Sequence, residues 1–314
     1  MAMNRPFFYL APIKGLTDAL FRDTFFRHFH GFASAVAPFI NPQRKSLFDD
    51  KLIRDVLPGE NRTVPIVPQL LHTDPDDFLT LAKRLAGLGY QHINWNLGCP
   101  VVMVAKKRRG SGLLPYPEEI SDLLDQVMPQ LPLSLSIKTR LGYQDKSELM
   151  ALLPQLDRFN LQEIMIHPRL GRQLYKGSVD VDAFADCLSR TRHRVVYNGD
   201  IKTPADFFRL RERFPHIERW MIGRGALADP FLVEKITNTY SPGHDLERLY
   251  DFHADLLARY RQRLAGPGHL LGKLKQLWIY LIASFPANQQ QLKKILKASS
   301  ETAYQQAVAK LFRL

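Results

Sequence analysis

The sequence predicts an α/β protein: a (β/α)8 TIM barrel followed by a small all-helical C-terminal domain. Three observations predict it. Short β-rich runs alternate with amphipathic helical runs eight times over about 240 residues, the length and order of such a barrel. After Ser241-Pro242-Gly243 the strand signals stop and helical periodicity continues alone. No glycine fingerprint follows the first strand, as a doubly wound dinucleotide-binding sheet requires, and such sheets normally use fewer strands.

Phe7–Ala11 reads as the first strand and Thr17–Phe29 as its helix, with Thr17 or Leu16 near the N-cap. Ala33–Pro38 and Leu47–Leu57 form the second unit. Val64–Leu71 is the third strand, and its helix runs from Asp74 to Leu88, capped by Thr73 with Pro75 at the first position. His92–Leu97 pairs with Glu118–Met128, Leu133–Thr139 with Lys146–Phe159, and Glu163–His167 with Val179–Leu188. The last two units are Arg194–Asn198 with Thr203–Phe214 and Arg219–Ile222 with Pro230–Asn238. These units fill a barrel domain over residues 1–240. Residues 241–314 read as helices: Leu246–Leu264, a Gly266-Pro267-Gly268 turn, Leu270–Ser284, Gln289–Ala298 and Glu301–Phe312.

The apolar fraction of 45% is that of a globular chain with a real core. Two cysteines far apart, Cys99 and Cys187, fit a reducing cytosol better than a disulfide framework. The N-terminus runs into strand-like Phe7-Phe8-Tyr9-Leu10 with no apolar segment and cleavage site ahead of it. The longest apolar stretch, near Leu277 to Phe285, is about half of what a membrane span needs. A cytoplasmic protein without membrane contact is expected. Cys, His and carboxylates are not clustered at ligand spacings, so no metal is expected.

The net charge of +12 points to a polyanionic partner. The charge is unevenly placed. Residues 241–314 hold eleven Lys/Arg against five Asp/Glu, so a quarter of the chain carries half the excess. Between Leu256 and Ser300 no acidic residue occurs, while eight cations do, Lys273 and Lys275 among them. A phosphate backbone selects such a face; a merely solvated surface is the plainer account.

A barrel builds its active site just past the C-terminal ends of its strands. Those positions hold Pro12, Gln69, Asn96 with Cys99, Lys138 with Arg140, His167 with Arg169, Asn198-Gly199-Asp200 and Gly223-Arg224-Gly225. The last two are tight turns after strands seven and eight, where barrels commonly bind phosphate, and Arg224 adds a charge-assisted bond. Lys138, inside an otherwise apolar strand, must meet an anion or shift its pKa. Either a salt bridge or an electron-rich cofactor satisfies it. His167 at a strand end is more often a structural group than a working one. Cys99 follows Gly98 and precedes Pro100, which ends the ladder and puts the thiol on a loop. From spacing alone an inert buried cysteine and a working thiol both stand. A phosphate site with an amide, a lysine and a histidine around one mouth suits flavin mononucleotide.

Several motifs together resemble the tRNA-dihydrouridine synthase family over nearly the whole chain. They are Ala11-Pro12-Ile13-Lys14-Gly15-Leu16-Thr17-Asp18, Asn96-Leu97-Gly98-Cys99-Pro100 with Gly110-Ser111-Gly112-Leu113-Leu114, and Ile137-Lys138-Thr139-Arg140-Leu141-Gly142. His167-Pro168-Arg169, Asn198-Gly199-Asp200-Ile201 and Met221-Ile222-Gly223-Arg224-Gly225-Ala226 complete the set. Ile13 stands where the family usually has Met, Pro168 where it has Gly. Ala35-Val36-Ala37-Pro38 replaces a common Thr-Glu, which bears on how the target base is held. The resemblance implies an FMN barrel with a helical tail that grips tRNA, reducing uridine to 5,6-dihydrouridine with NADPH. It places Pro12, Ile13, Lys14, Gln69, Lys138, His167, Asn198, Gly199, Asp200, Gly223 and Arg224 at the flavin. Cys99 becomes the general acid, and Asn96 lies beside the base; Arg140, Arg169, Lys273 and Lys275 are also expected on the substrate side.

The chemistry agrees. Uracil carbon 6 is electrophilic, so hydride from reduced flavin leaves enolate character at carbon 5, and a protonated Cys99 can quench it. Lys138 would stabilise the anionic reduced flavin. A uridine inside folded RNA must be extruded to reach the mouth, while Lys106 to Arg109 and the tail hold the backbone. The rival readings are an FMN barrel oxidoreductase acting on a small pyrimidine or enone, and a non-catalytic RNA-binding protein with a vestigial barrel.

Overall fold

The computed structural model describes residues 5–42 and 50–312. The first unit is β1 (Phe7–Leu10) and α1 (Ala19–His28), the second β2 (Ser34–Val36) and α2 (Asp50–Ile53). β3 (Ile66–Val67), β4 (Gln69–Leu70) and α3 (Pro75–Gly87) follow, then β5 (His92–Leu97), the short α4 (Val102–Ala105) and α5 (Pro117–Val127). β6 (Ser134–Gly142) leads to α6 (Ser147–Leu156), β7 (Leu161–Leu170) to α7 (Val181–Leu188) and β8 (Val195–Tyr197) to α8 (Pro204–Arg213). β9 (Arg219–Ile222) ends the barrel with α9 (Arg224–Ala228) and α10 (Leu232–Ile236). Four tail helices remain: α11 (Asp245–Arg263), α12 (Gly266–Leu281), α13 (Gln291–Lys297) and α14 (Glu301–Phe312).

The strands are parallel, in the order β3-β2-β1-β9-β8-β7-β6-β5-β4. β3 and β4 are two halves of the single strand expected over Val64–Leu71. Pro68 divides them, because proline has no N–H to give the ladder. The first half pairs with β2 and the second with β5, so the sheet closes into a barrel along its own chain.

Period-two alternation sorts the strand residues. Tyr9, Val36, Val67, Met165, Val196 and Met221 fill the barrel interior. Phe8, Leu10, Trp95, Ile137, Ile164 and Trp220 face the helical layer. The interior thins at the C-terminal end, where Asn94, Asn96, Ser136 and Lys138 share the inward face in register.

Several local expectations are corrected. Asp18, not Thr17 or Leu16, caps α1, its Oδ1 accepting from the Phe21 amide at 2.9 Å. Thr17 instead accepts from the Ile13 amide, 2.8 Å, and tightens the loop before the helix. Asp74, not Thr73, caps α3 through the Asp77 amide, 3.0 Å. In both places the carboxylate prevails over its hydroxyl neighbour because it is the residue directly before the first helical turn. Of the helix expected over Leu47–Leu57, residues 47–49 lie outside the described residues. The remainder is α2 and a 3-10 turn over Arg54–Val56. Pro230–Asn238 shortens to α10, and Gly266-Pro267-Gly268 opens α12 rather than standing apart, Gly266 at φ 75° and Pro267 in the first turn.

The tail is pinned to the barrel. Phe252 of α11 packs edge-on against Phe21, Phe25 and Phe29 of and beside α1. Arg259 pairs with buried Asp23 at 2.8 Å, and Arg248 with buried Glu234 at 2.7 Å. Inside the tail, Trp278 Nε1 donates to the Tyr304 hydroxyl at 2.7 Å, and His253 Nε2 lies 2.7 Å from the same oxygen. Among the described residues no helix is long and apolar enough to cross a membrane.

Candidate active site

The strand ends open into one cleft at the C-terminal mouth of the barrel, enclosing about 1080 Å³ of space that is partly open to solvent. That is room for a cofactor-sized molecule. Every residue expected at the flavin lines it: Pro12, Ile13, Lys14, Gln69, Lys138, His167, Asn198, Gly199, Asp200, Gly223 and Arg224. Asn96, Cys99 and Arg140 line it as well. Arg169, Lys273 and Lys275 do not.

Cys99 is held by its backbone. Asn96 Oδ1 accepts from the amides of Gly98 (3.0 Å) and Cys99 (2.8 Å), folding the chain at the end of β5. On the other side the Ser111 amide and hydroxyl both donate to the Cys99 carbonyl, each at 3.0 Å. Gly110, at φ 58°, packs so close that a Cβ there would meet the Cys99 Cβ at 2.8 Å. The two halves of the motif, eleven residues apart, are thus one clamp. Burial raises the thiol's pKa, and the opposing pull of Arg140, Lys138 and Lys14 does not overcome it. Cys99 is a thiol at neutral pH, free to give a proton. Cys187 lies in the outer layer with Sγ 3.9 Å from the Met150 sulfur, and burial pushes it to about 12.

Asn96 extends inward as well. Its Nδ2 donates to Gln69 Oε1 (2.7 Å), Gln69 Nε2 to Asn94 Oδ1 (2.7 Å), and Asn94 Nδ2 to Ser136 Oγ (2.8 Å). This buried chain fixes which way each amide faces the cleft.

Lys138 projects into the cleft beside Cys99. Among the described residues no carboxylate pairs with it, which removes the salt-bridge alternative. Burial, then Arg140, lower its ammonium to about 7. Lys14 lies 4.8 Å over the Phe39 ring and donates to the Phe39 carbonyl at 3.2 Å. Arg224 donates to Asp200 Oδ1 at 2.9 Å, and Arg169 grips both oxygens of the same carboxylate. Burial alone would raise the Asp200 carboxyl, but those two guanidiniums hold it below its usual range. Arg169 is therefore a strut beneath the Asn198-Gly199-Asp200 turn, buried and also bonded to the Gly177 carbonyl (2.7 Å). Its Nη1 lies 3.0 Å from His167 Nε2. Burial, with Arg140 and Lys138 next, keeps His167 neutral, so Nε2 accepts and the proton sits on Nδ1.

Arg140 donates to the carbonyls of Gly98 (3.0 Å), Leu170 (2.9 Å) and Leu174 (2.6 Å), tying the Cys99 turn to the loop after β7. Lys273 bonds the Gly15 carbonyl and Asp18 Oδ2, both at 2.5 Å, and Lys275 bonds the Ala298 carbonyl. Both lysines thus bind the chain itself. Lys293, Lys294 and Lys297 on α13 are exposed and form no ion pair among the described residues.

Tyr175 and Phe39 were not anticipated. Tyr175 lies 5.2 Å from the Arg140 guanidinium and 5.1 Å from that of Arg224, half-stacked on His167, with 57% of its surface exposed. An aromatic within the polar run from Gly171 to Gly177 was the available signal. Phe39 follows β2, where the family's common Thr-Glu is absent.

The donor set fits a flavin mononucleotide. Lys14, Lys138, Arg140, Lys202 and Arg224 line the cleft against the single carboxylate of Asp200. The amides of Gly199 and Asp200 donate to no backbone carbonyl among the described residues. Cations with free amides at one end suit a phosphate, and an isolated lysine at the other suits an electron-rich ring. Residues 9–311 match the family model described as dihydrouridine synthase (Dus). The chain belongs to the dihydrouridine synthase family. The dihydrouridine synthase is an enzyme. It is 29% identical over 292 residues to "Probable tRNA-dihydrouridine synthase 2" of Bacillus subtilis, covering 88% of this chain and 86% of that one. A "Probable tRNA-dihydrouridine synthase" of Staphylococcus epidermidis is 30% identical over 276 residues, 82% of this chain and 80% of the relative. Among solved structures, the old yellow enzyme from Trypanosoma cruzi superposes with a TM-score of 0.55 at 11% identity, over 74% of this synthase and 88% of that chain. Morphinone reductase does so at 0.51 and 10%, over 77% and 92%. At such identities the likeness is one of fold, the same barrel.

Proposed function

We propose that this dihydrouridine synthase reduces uridine in tRNA to 5,6-dihydrouridine, with FMN in the cleft, NADPH as the electron donor and Cys99 as the proton donor. The observation that carries the reading is the clamp that holds a protonated Cys99 over the same cleft as Lys138 and the Asp200–Arg224 ion pair. When bound, reduced FMN supplies the hydride to uracil carbon 6. Cys99 holds the proton that carbon 5 then takes, with electrons from the uracil enolate forming the C–H bond. Lys138 would oppose negative charge on a bound flavin ring, and the Gly199 and Asp200 amides with Arg224 would hold its phosphate. Asn96 has one amide hydrogen left after binding Gln69, which orients the uracil edge. On this reading residues 1–240 form the catalytic domain and residues 241–314 the RNA-docking domain, acting in the cytoplasm.

The decisive assay incubates unmodified tRNA transcript with flavin-loaded protein and NADPH, then digests the RNA and measures dihydrouridine by mass. Dihydrouridine that depends on NADPH and flavin is expected. Oxidation of NADPH by a free pyrimidine or an enone, with none by RNA, would overturn the assignment in favour of a small-molecule reductase.

A further inference from the structure

Beyond Cys99 the chain turns outward through Pro100 into Val101, Val102 and Met103. Their side chains are 52%, 52% and 75% exposed. Met103 is the most exposed large apolar residue among those described. Folding does not require this run to be apolar, since Ala105 is the residue that α4 buries. Three adjacent apolar side chains left in water carry a free-energy cost that a binding partner would relieve. Val101 also lines the cleft, so this surface is continuous with the site. Directly behind it come exposed Lys106, Lys107 and Arg108, and the Arg108 guanidinium lies 4.2 Å over the half-exposed Tyr116 ring.

A partner that offers apolar faces alternating with negative charge beside the cleft is an RNA strand locally unstacked. We infer that Val101, Val102 and Met103 form a wedge that fills the gap left in the base stack when the target nucleotide turns into the cleft. Lys106 and Lys107 hold the adjoining phosphates. The inference rests on the proposed RNA substrate. Physically, a nucleotide leaves a stack when its neighbours gain a substitute surface, and unbranched Met or a small apolar side chain supplies one. The location matters: the wedge is anchored to the same clamp as Cys99, so the nucleotide it displaces is delivered beside the thiol.

The test compares the flavin-loaded full chain with Val102→Ser/Met103→Ser, both positions being exposed and outside the cofactor set. The substrates are a folded tRNA transcript and a single-stranded oligouridylate. On the folded transcript kcat/KM and affinity should fall about tenfold, within the range of one lost stacking contact. On the oligouridylate, already unstacked, the loss should stay within about twofold, a small part of a stacking contact. Flavin content, NADPH-driven flavin reduction and the salt dependence of binding should match the parent, and Met103→Leu should retain parental rates. Lys106→Gln/Lys107→Gln should instead lower the slope of log affinity against log salt by about two.

Parental behaviour of the serine variant on the folded transcript would overturn the wedge, as would an equal loss on both RNAs. Binding of the parent, but not the variant, to vesicles of anionic phosphatidylglycerol would reassign the patch to a membrane surface. If the parent binds the transcript without reducing it, the proposed reaction falls while the affinity comparison still judges the wedge. If the parent does not bind RNA, both fall.

Discussion

Replacing Lys138 by Met should stabilise the flavin-free protein while destroying its response to FMN. An ammonium in water titrates near 10.5, and this one is lowered to about 7 by burial and by Arg140. Each pKa unit is about 1.36 kcal/mol, so keeping the side chain charged in the folded state costs about 5 kcal/mol. Water at the open side of the cleft screens part of this, leaving about 2–4 kcal/mol as the expected gain from Lys138→Met. For a chain of this size that is a rise in Tm of roughly 4–8 °C. The sign depends on pH. A lysine whose pKa is lower in the folded than in the unfolded state penalises folding fully below about 7, and the penalty fades as pH rises toward 10.5. The stability gap between variant and parent should therefore be widest at pH 6–7 and nearly closed at pH 10. An electron-rich carbonyl edge of a bound flavin ring, accepting a hydrogen bond from the ammonium, would raise the lysine's pKa again, so parental affinity for FMN should be greatest below about pH 7 and decline above it. Lys138→Met should bind FMN weakly at every pH. Thermal unfolding of the flavin-free proteins and fluorescence titration with FMN read both effects. A variant less stable than the parent, or a gap that is constant between pH 7 and 10, would refute the reasoning.

Cys99→Ala should keep its flavin, accept electrons from NADPH and bind tRNA, yet lose about a hundred- to ten-thousandfold in RNA reduction, the span of a missing general acid; Cys187→Ala, measured in parallel, should turn over normally. Substituting Lys293, Lys294 and Lys297 together by Gln should lower the salt slope of tRNA binding by about two to three. In contrast, Lys273→Gln should show itself first as lower thermal stability, since its ammonium holds Gly15 and Asp18; the opposite pattern in filter-binding and melting curves would show that Lys273 is the RNA contact. Burial holds His253 at about 4, so its contribution, about 3 kcal/mol, is present above pH 6.5 and lost as pH falls toward 4. His253→Phe should flatten that part of the acid-unfolding curve, and an unchanged curve would count against the cluster.

Local chemistry made much of this protein legible in its residues. Strand and helix periods are written in side-chain order, so the eight-unit barrel and the helical tail follow from the sequence. The strand ends follow too, because a parallel barrel brings every such end to one face. That is why Lys138, Cys99, Asn198 to Asp200 and Arg224, scattered over more than a hundred residues, could be expected at one mouth, and they line one cleft. Other features depend on partners distant in sequence. Whether Lys138 meets a carboxylate, whether Arg169 faces a ligand or braces Asp200, and whether Lys273 faces RNA or caps the Gly15 loop are questions of three-dimensional neighbours. Charge counting along the tail saw a single basic block. Packing divided it, spending Arg259, Arg261, Arg263 and Lys273 on carboxylates of other elements and leaving α13 exposed. A residue's type sets what bonds it can make, and only the fold decides which partners lie within about 3 Å to receive them.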